Sequence, residues 1–387
     1  MEQPVVFIHG TALPSKAANA VQTLQMAAAV ATLGVPVHLA CWLKPGWSEE
    51  DVFSYYGLPP TFSLVPGATS MLSRRGLRSI AMVAPLLRRF GRRWVCCTRI
   101  PSVAALVAWL GIPTVLELHS LTTHPRQQRL LPVLARAPGL RRVVVISQAL
   151  RLLVEEQMPR LAHRSLTVAH DAVDPERFAV SCSQEEARRT LGLPLDTQIV
   201  GYTGRLSAGK GAHILLQAAK GTPFTTCIVG GDPSDPSDML EQLKTEHALP
   251  ETMFLGYQPP AKIPLFLRAF DVVVAPFTHE PISRFTVGGR VVPYDISGVM
   301  SPLKVFEYMA SGTPMVVSDL PVLREVLTPG KTAVMVPPGD PDALRAGIDR
   351  LLQHPNEAAE MAETARQAVQ DYTWEARARN IFGDLVD

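Results

Sequence analysis

Residues 301–325, SPLKVFEYMASGTPMVVSDLPVLRE, read as helix, strand, helix. Ser301 suits an N-cap and Pro302 a first helical position, since proline has no N–H to lose there. Val305, Phe306, Met309 and Ala310 recur at helical spacing and give one apolar face. Gly312 ends the helix and Pro314 forbids its continuation. PMVVS then forms a short buried strand. Glu307 stands out as a carboxylate in a helix that is otherwise half buried. The helix start leaves free amides at Leu303 and Lys304, which suit a phosphate. A carboxylate beside a phosphate site suits a ribose diol carrying a diphosphate.

Working back toward the N-terminus, residues 277–300 read as one long loop that leads into this site and shapes its pocket. Asp295 lies on it as a spare carboxylate. Residues 198–202 form a strand that opens on TGRLSAGKG, residues 203–211. Gly204 to Lys210 has the G-x-x-x-x-G-K spacing of a phosphate-binding P-loop. Gly211 stands where a Ser or Thr should hold magnesium, so a P-loop NTPase is excluded. Arg205 and Lys210 still suit a diphosphate, one as a fork and one as a mobile point charge. The plain alternative is a solvated basic turn. The aspartates of GGDPSDPSD, residues 230–238, are explained by turn chemistry, and no third metal ligand follows at a recognisable spacing.

The first half alternates short apolar runs with helical stretches. Runs at 5–8, 37–40, 94–98, 114–118 and 143–146 predict a parallel, doubly wound sheet. Ligands bind past the carboxyl ends of such strands. Gly10-Thr11, His119 and Ser147 occupy those places, with a helix predicted over 17–33. N-capping accounts fully for Ser147. A tight turn is the plain alternative for Gly10-Thr11, and a structural role for the lone His119.

The chain has 387 residues, 47% hydrophobic and 19% charged, which suits two globular domains rather than a disordered protein. No apolar run reaches the roughly 18 residues of a membrane span. The N-terminus has no signal-peptide pattern. The five cysteines are odd in number and lack a CxxC spacing. Reduced thiols in a cytoplasmic protein follow. Residues 1–190 carry 21 Lys+Arg against 12 Asp+Glu, a net of +9; the remainder carries 16 against 23, a net of −7. Arg74, Arg75, Arg78, Arg88, Arg89, Arg92 and Arg93 cluster without any acid between Met71 and Ile100. Leu77, Ile80, Ala81, Ala84 and Leu87 lie among them at helical spacings, with Pro85 expected to interrupt the helix. Such a segment suits an anionic membrane surface.

Residues 301–325 resemble the nucleotide-sugar signature of the retaining family 4 glycosyltransferases of GT-B type, in the SPLK-x-FEYMA form. The 204–211 loop resembles that family's G-R-L-x-x-x-K-G segment, and HGTALPSKAANA resembles its opening. HDAVD, residues 170–174, is a looser match to its interdomain linker. The resemblance implies two Rossmann-like doubly wound domains facing across a cleft. Residues 1–185 with 374–387 would form the acceptor domain, and residues 186–373 the donor domain. It implies sugar transfer from a nucleoside diphosphate-sugar, such as a UDP-sugar, to an acceptor hydroxyl, with retention. No cofactor, no metal and no nucleic acid would be involved. His119 would lie close to the reacting sugar. Arg205 and Lys210 would neutralise the diphosphate, and Glu307 would bind the ribose. Gly10, Thr11, Gly204, Ser301, Leu303 and Lys304 would complete the donor site. The family's first glutamate would fall at Val299, which leaves the sugar undetermined. Expected partners are a glycan, a lipid-linked glycan or a small-molecule acceptor. The expected place is cytoplasmic, peripheral on the inner membrane face. The alternatives are transfer to a small soluble natural product and a non-catalytic nucleotide-sugar-binding protein.

Overall fold

The computed structural model describes residues 3–66, 77–121, 125–232, 238–246, 249–280, 283–287 and 290–385. Two compact units emerge. One comprises Met1–Asp171, Val299–Ser301 and Trp374–Asp387; the other comprises Ala172–Gly298 and Pro302–Thr373.

The first unit is built on seven parallel strands. These are β1 (Val5–Leu13), β2 (Val37–Leu43), β3 (Ser63–Pro66), β4 (Val95–Thr98), β5 (Thr114–Leu118), β6 (Leu140–Val145) and β7 (Ser165–Val168), in the order β3-β2-β1-β4-β5-β6-β7. Helices cross between them, as parallel pairing requires. The strands β4 and β5 are buried throughout and mostly apolar, with Glu117 the buried charge among them. The expected turn after Ile8 is absent. β1 runs on through Gly10 and Thr11 to Leu13, with a register shift against β2 between Ile8 and Ala12. The following helix spans Ala18–Ala31 and lacks a side-chain cap.

The helix Leu77–Phe90 continues through Pro85 rather than breaking there. Its Met82, Val83 and Leu86 pack with Trp94 in the core of this unit, and that packing holds the helix across the missing donor. Ile80 is 50% exposed, and Arg88, Arg89, Arg92 and Arg93 are exposed. Arg74 and Arg75 lie outside the described residues, as does the side chain of Arg78.

The second unit has six parallel strands. These are β8 (Ile199–Thr203), β9 (Thr225–Val229), β10 (Thr252–Phe254), β11 (Val272–Ala275), β14 (Met315–Ser318) and β15 (Val334–Val336), in the order β10-β9-β8-β11-β14-β15. The segment expected as one long loop contains an antiparallel hairpin, β12 (Ser283–Val287) with β13 (Arg290–Tyr294). Gly288-Gly289 between two β-rich runs was its sequence signal.

The units divide at Asp171, ahead of the boundary expected at residue 185. Helix Gln184–Leu191 packs on helix Ile263–Ala269. Arg188 holds it there by donating to Ala269 O at 2.8 Å and to Asp271 Oδ2 at 2.6 Å. The short helix Pro175–Phe178 packs on helix Leu303–Ser311.

Candidate functional site

Two groups of polar side chains stand out, one in each unit. In the second unit β8 ends at Thr203, and the chain turns through Gly204 into a short helix, Ala208–Lys210. Gly211 closes that turn at φ +72°, and a Cβ there would lie 1.6 Å from Pro276 O, so no other residue fits. Tyr202 donates its hydroxyl to Arg205 O at 2.8 Å and pins the loop. The helix Leu303–Ser311 starts beside it. Tyr308 on that helix accepts from Thr203 N at 3.0 Å, tying helix to strand end.

The consequence is a concentration of positive charge. Arg205 is exposed, Lys210 is half buried, and Lys304 is 8% exposed. Lys210 Nζ and Lys304 Nζ lie 5.0 and 5.6 Å from the centre of the same ring, Phe277. Burial, then the charge of Arg205, pushes Lys210 down to about 8. Burial, then Lys210, holds Lys304 well below the ordinary lysine value, against the pull of Glu307. Glu307 sits farther along the same helix, half buried. Burial raises its pKa, and Arg177 and then Lys304 oppose that rise. Arg177 is a residue the sequence reading missed. It reaches Glu307 through the packing of two helices that are far apart in the chain.

Two expectations are corrected. Ser301 does not cap the helix. The N-cap is Pro302, which makes no side-chain cap bond, while Ser301 Oγ accepts from Asp171 N at 2.8 Å within the first unit. Asp295 is exposed and its carboxylate is taken by Ser297 N and Oγ at 2.7 Å each, so it is no spare carboxylate. Val299, where the resemblance places a glutamate, packs against the core around Leu116 and Val145, and its carbonyl accepts from Ser147 Oγ at 2.8 Å. An apolar side chain is what that place takes. Ser147 also caps its helix through Leu150 N, as expected.

In the first unit the polar group lies past the end of β5. His119 Nε2 is 2.5 Å from Glu117 Oε1, which also accepts from Gln22 Nε2 at 2.6 Å. Arg377, from the returning helix Trp374–Phe382, donates to Glu117 Oε2 at 3.2 Å and to the carbonyls of His170 and Ala169. Burial works to raise Glu117, but Arg377, the His119 hydrogen bond and Arg99 together hold it below the usual carboxylate range. Burial and then Arg99 push His119 down to about 4, against Glu117. With Glu117 ionised, Nε2 carries the proton of a neutral imidazole and Nδ1 is left as an acceptor.

Asp171 is 4% exposed, and its Oδ1 has no hydrogen-bond partner among the described residues. Burial pushes it up to about 7, with Arg377 and Arg99 opposing and Glu117 adding. Glu117, His119 and Asp171 bring ligand atoms within 4.8 Å of one another. Glu117 already spends both oxygens on His119, Gln22 and Arg377, and Arg99 adds a second cation. That balance suits a proton better than a divalent ion.

The Gly10-Thr11 pair follows His9 on β1, and Arg99 acts on both His9 and His119. Thr11 Oγ1 meets His9 Nε2 at 2.6 Å, and a Cβ on Gly10 would lie 2.9 Å from Ile100 Cδ1. The glycine therefore makes room for Ile100.

Known proteins share parts of this sequence and its fold. Residues 20–177 match Glycosyltransferase Family 4, and residues 197–354 match Glycosyl transferases group 1. Between them these two regions take in most of the chain, which belongs to the group 1 glycosyltransferases. The D-inositol 3-phosphate glycosyltransferase of Corynebacterium urealyticum is 29% identical over 229 residues, 56% of this chain and 50% of that protein. The chain thus spans about half the length of the first curated relatives it matches. The 2-deoxystreptamine glucosyltransferase of Streptomyces kanamyceticus is 25% identical over 370 residues, 87% of this chain and 89% of that protein. Among solved structures, Anabaena HepE with UDP and glucose superposes with TM-score 0.74 at 18% identity, covering 99% of both chains. The fold class is that of the GT-B glycosyltransferases, with two Rossmann-like units. Among the described residues, no helix is long and apolar enough to cross a membrane.

Proposed function

We propose that this chain transfers a sugar from a nucleoside diphosphate-sugar to an acceptor hydroxyl, with retention of configuration and without a metal or other cofactor. The observation that carries this reading is the charge pattern of the second unit. Three cationic side chains gather at the end of β8 and the start of helix Leu303–Ser311, and Glu307 lies one turn beyond Lys304. Breaking a sugar–phosphate bond builds negative charge on the diphosphate, and fixed cations that meet it lower the barrier. Arg205 and Lys210 take that role with the amides of Leu303 and Lys304. Glu307 holds the ribose hydroxyls, and Gly204 keeps the loop backbone clear for the phosphates. UDP is the first nucleotide to try, because the structurally similar HepE was solved with UDP and glucose.

His119 contributes a neutral imidazole whose Nδ1 accepts from a sugar hydroxyl. The acceptor reading is a lipid-linked glycan in cell-surface polysaccharide or glycolipid assembly. The protein would be cytoplasmic and peripheral on the inner membrane face, held by Arg88, Arg89, Arg92 and Arg93. A second reading, a small soluble acceptor, has one observation in its favour: the 2-deoxystreptamine glucosyltransferase matches along nearly its whole length. The excess of basic residues in 1–190 argues against a cationic acceptor of that kind. A thermal-shift screen of UDP-, GDP- and ADP-sugars, followed by mass analysis of products with lipid-linked and soluble acceptors, tests both. Stabilisation by none of the donors would end the reading.

A further inference from the structure

Lys304 is the second residue of helix Leu303–Ser311, and its side chain is turned inward rather than to solvent. Nζ lies 3.8 Å from the centre of the Tyr202 ring and 5.6 Å from that of Phe277. It has no hydrogen-bond partner among the described residues. A Cβ placed on Gly204 would stand 3.1 Å from it, so the ammonium lies directly against the loop that carries Arg205 and Lys210. Ser207 Oγ, on the same loop, is also buried without a partner.

A buried ammonium facing two rings keeps some cation–π attraction but loses its hydration. The charged groups that act on it are Lys210, which repels, and Glu307 on its own helix, which attracts. Arg205 acts on Lys210, and Arg177 acts on Glu307. Among the described residues Asp238 also acts on Tyr202, and the cations still outnumber the carboxylates. What this corner lacks is an anion with several acceptor oxygens.

We propose that Lys304 Nζ is a third cation for the diphosphate of the donor, and that the nucleoside diphosphate brings a proton into the site when it binds. This rests on the donor reading above and adds to it the side chain of a residue that served there only through its amide. Without a bound anion, burial and Lys210 hold Lys304 well below the ordinary lysine value, and Lys210 is itself pushed down to about 8. A diphosphate reverses the electrostatics, and the Nζ lone pair takes a proton from the buffer. No other bond forms or breaks. The three ammonium hydrogens then have phosphate oxygens and Ser207 Oγ to meet.

The test is isothermal titration of UDP, with GDP and ADP as further probes, into the full chain. It is run near pH 8 in two buffers of different ionisation enthalpy. Wild-type protein should show net proton uptake. Lys304→Met should bind the nucleoside diphosphate about ten- to a hundredfold more weakly, with smaller uptake and unchanged affinity for uridine. Lys304→Arg keeps a permanent charge and should bind with reduced uptake, a result that holds even if the Met variant does not fold. Wild-type protein that binds none of the three diphosphates would overturn the donor reading and this proposal together. Tight binding with the same affinity and the same proton uptake in both variants would overturn the role of Lys304 alone.

Discussion

Arg377 Nη1 lies 3.2 Å from Glu117 Oε2, with the two side chains 3% and 5% exposed. The pair joins the end of β5 to the C-terminal helix of the first unit. Arg377 also donates to His170 O at 2.8 Å and Ala169 O at 3.2 Å, so one guanidinium fixes three segments. Removing one member of a buried pair leaves the other uncompensated, at a cost of about 3–5 kcal/mol. Arg377→Met should therefore lower the unfolding free energy by about that amount in urea titrations. A loss of about 1 kcal/mol or less, the range of exposed pairs, would mean that the pair is well solvated.

Asp171 sets a pH dependence. Its folded pKa is raised to about 7, while an unfolded aspartate titrates near 3.9. Its proton-linked contribution is complete below the unfolded value and is lost as pH rises through about 7. Asn mimics the protonated acid and does not titrate. The melting temperature of Asp171→Asn should thus rise relative to wild type between mildly acidic and mildly alkaline pH. A constant difference across that range would place an ordinary carboxylate at this position.

Glu307→Ala should weaken nucleoside diphosphate binding by about 1.5–3 kcal/mol, the worth of a hydrogen bond to a charged group. The substitution also removes a carboxylate that acts on Arg177, and because Gln keeps a hydrogen-bonding oxygen the loss should be smaller for Glu307→Gln. Calorimetry that gives unchanged affinity for Glu307→Ala would leave Glu307 as a structural member of its helix.

The proposed membrane docking is electrostatic. Met82, Val83 and Leu86 pack in the core, and among the described side chains Ile80 is the large apolar one of that helix left exposed. Each basic residue near an anionic surface is worth about 1 kcal/mol. Sedimentation with anionic liposomes should therefore fall with salt and with Arg88, Arg89, Arg92 and Arg93 changed to Ser. Equal recovery in the supernatant with anionic and neutral lipid would favour the soluble acceptor.

The local features were legible in the sequence. Both parallel sheets, the loop around Arg205 and Lys210, and the helix bearing Glu307 follow from apolar runs, glycines and spacing over a few residues. The strands β3 (SLVP) and β10 (TMF) offer no continuous apolar run to read, and the hairpin β12–β13 lies in the segment that reads as loop. The network around His119 was not legible. Glu117 in the apolar run VLEL signalled that a buried charge needed a partner, but that partner lies 260 residues away. The same distance problem hid Arg177 from Glu307. Ser301 looked like a cap because its neighbours fit one, and only the fold shows its hydroxyl turned to Asp171.

The central claim is that Arg205 and Lys210 stabilise a departing nucleoside diphosphate without help from a metal. The most direct test is the initial rate of nucleoside diphosphate release from the donor found by screening. Wild type, Arg205→Ala and Lys210→Ala are compared, each with and without EDTA. Each substitution should lower turnover by roughly 10²–10³-fold while the melting temperature stays near that of wild type, and EDTA should change nothing. Near-normal rates in both variants, or wild-type activity abolished by EDTA and restored by manganese, would contradict the account.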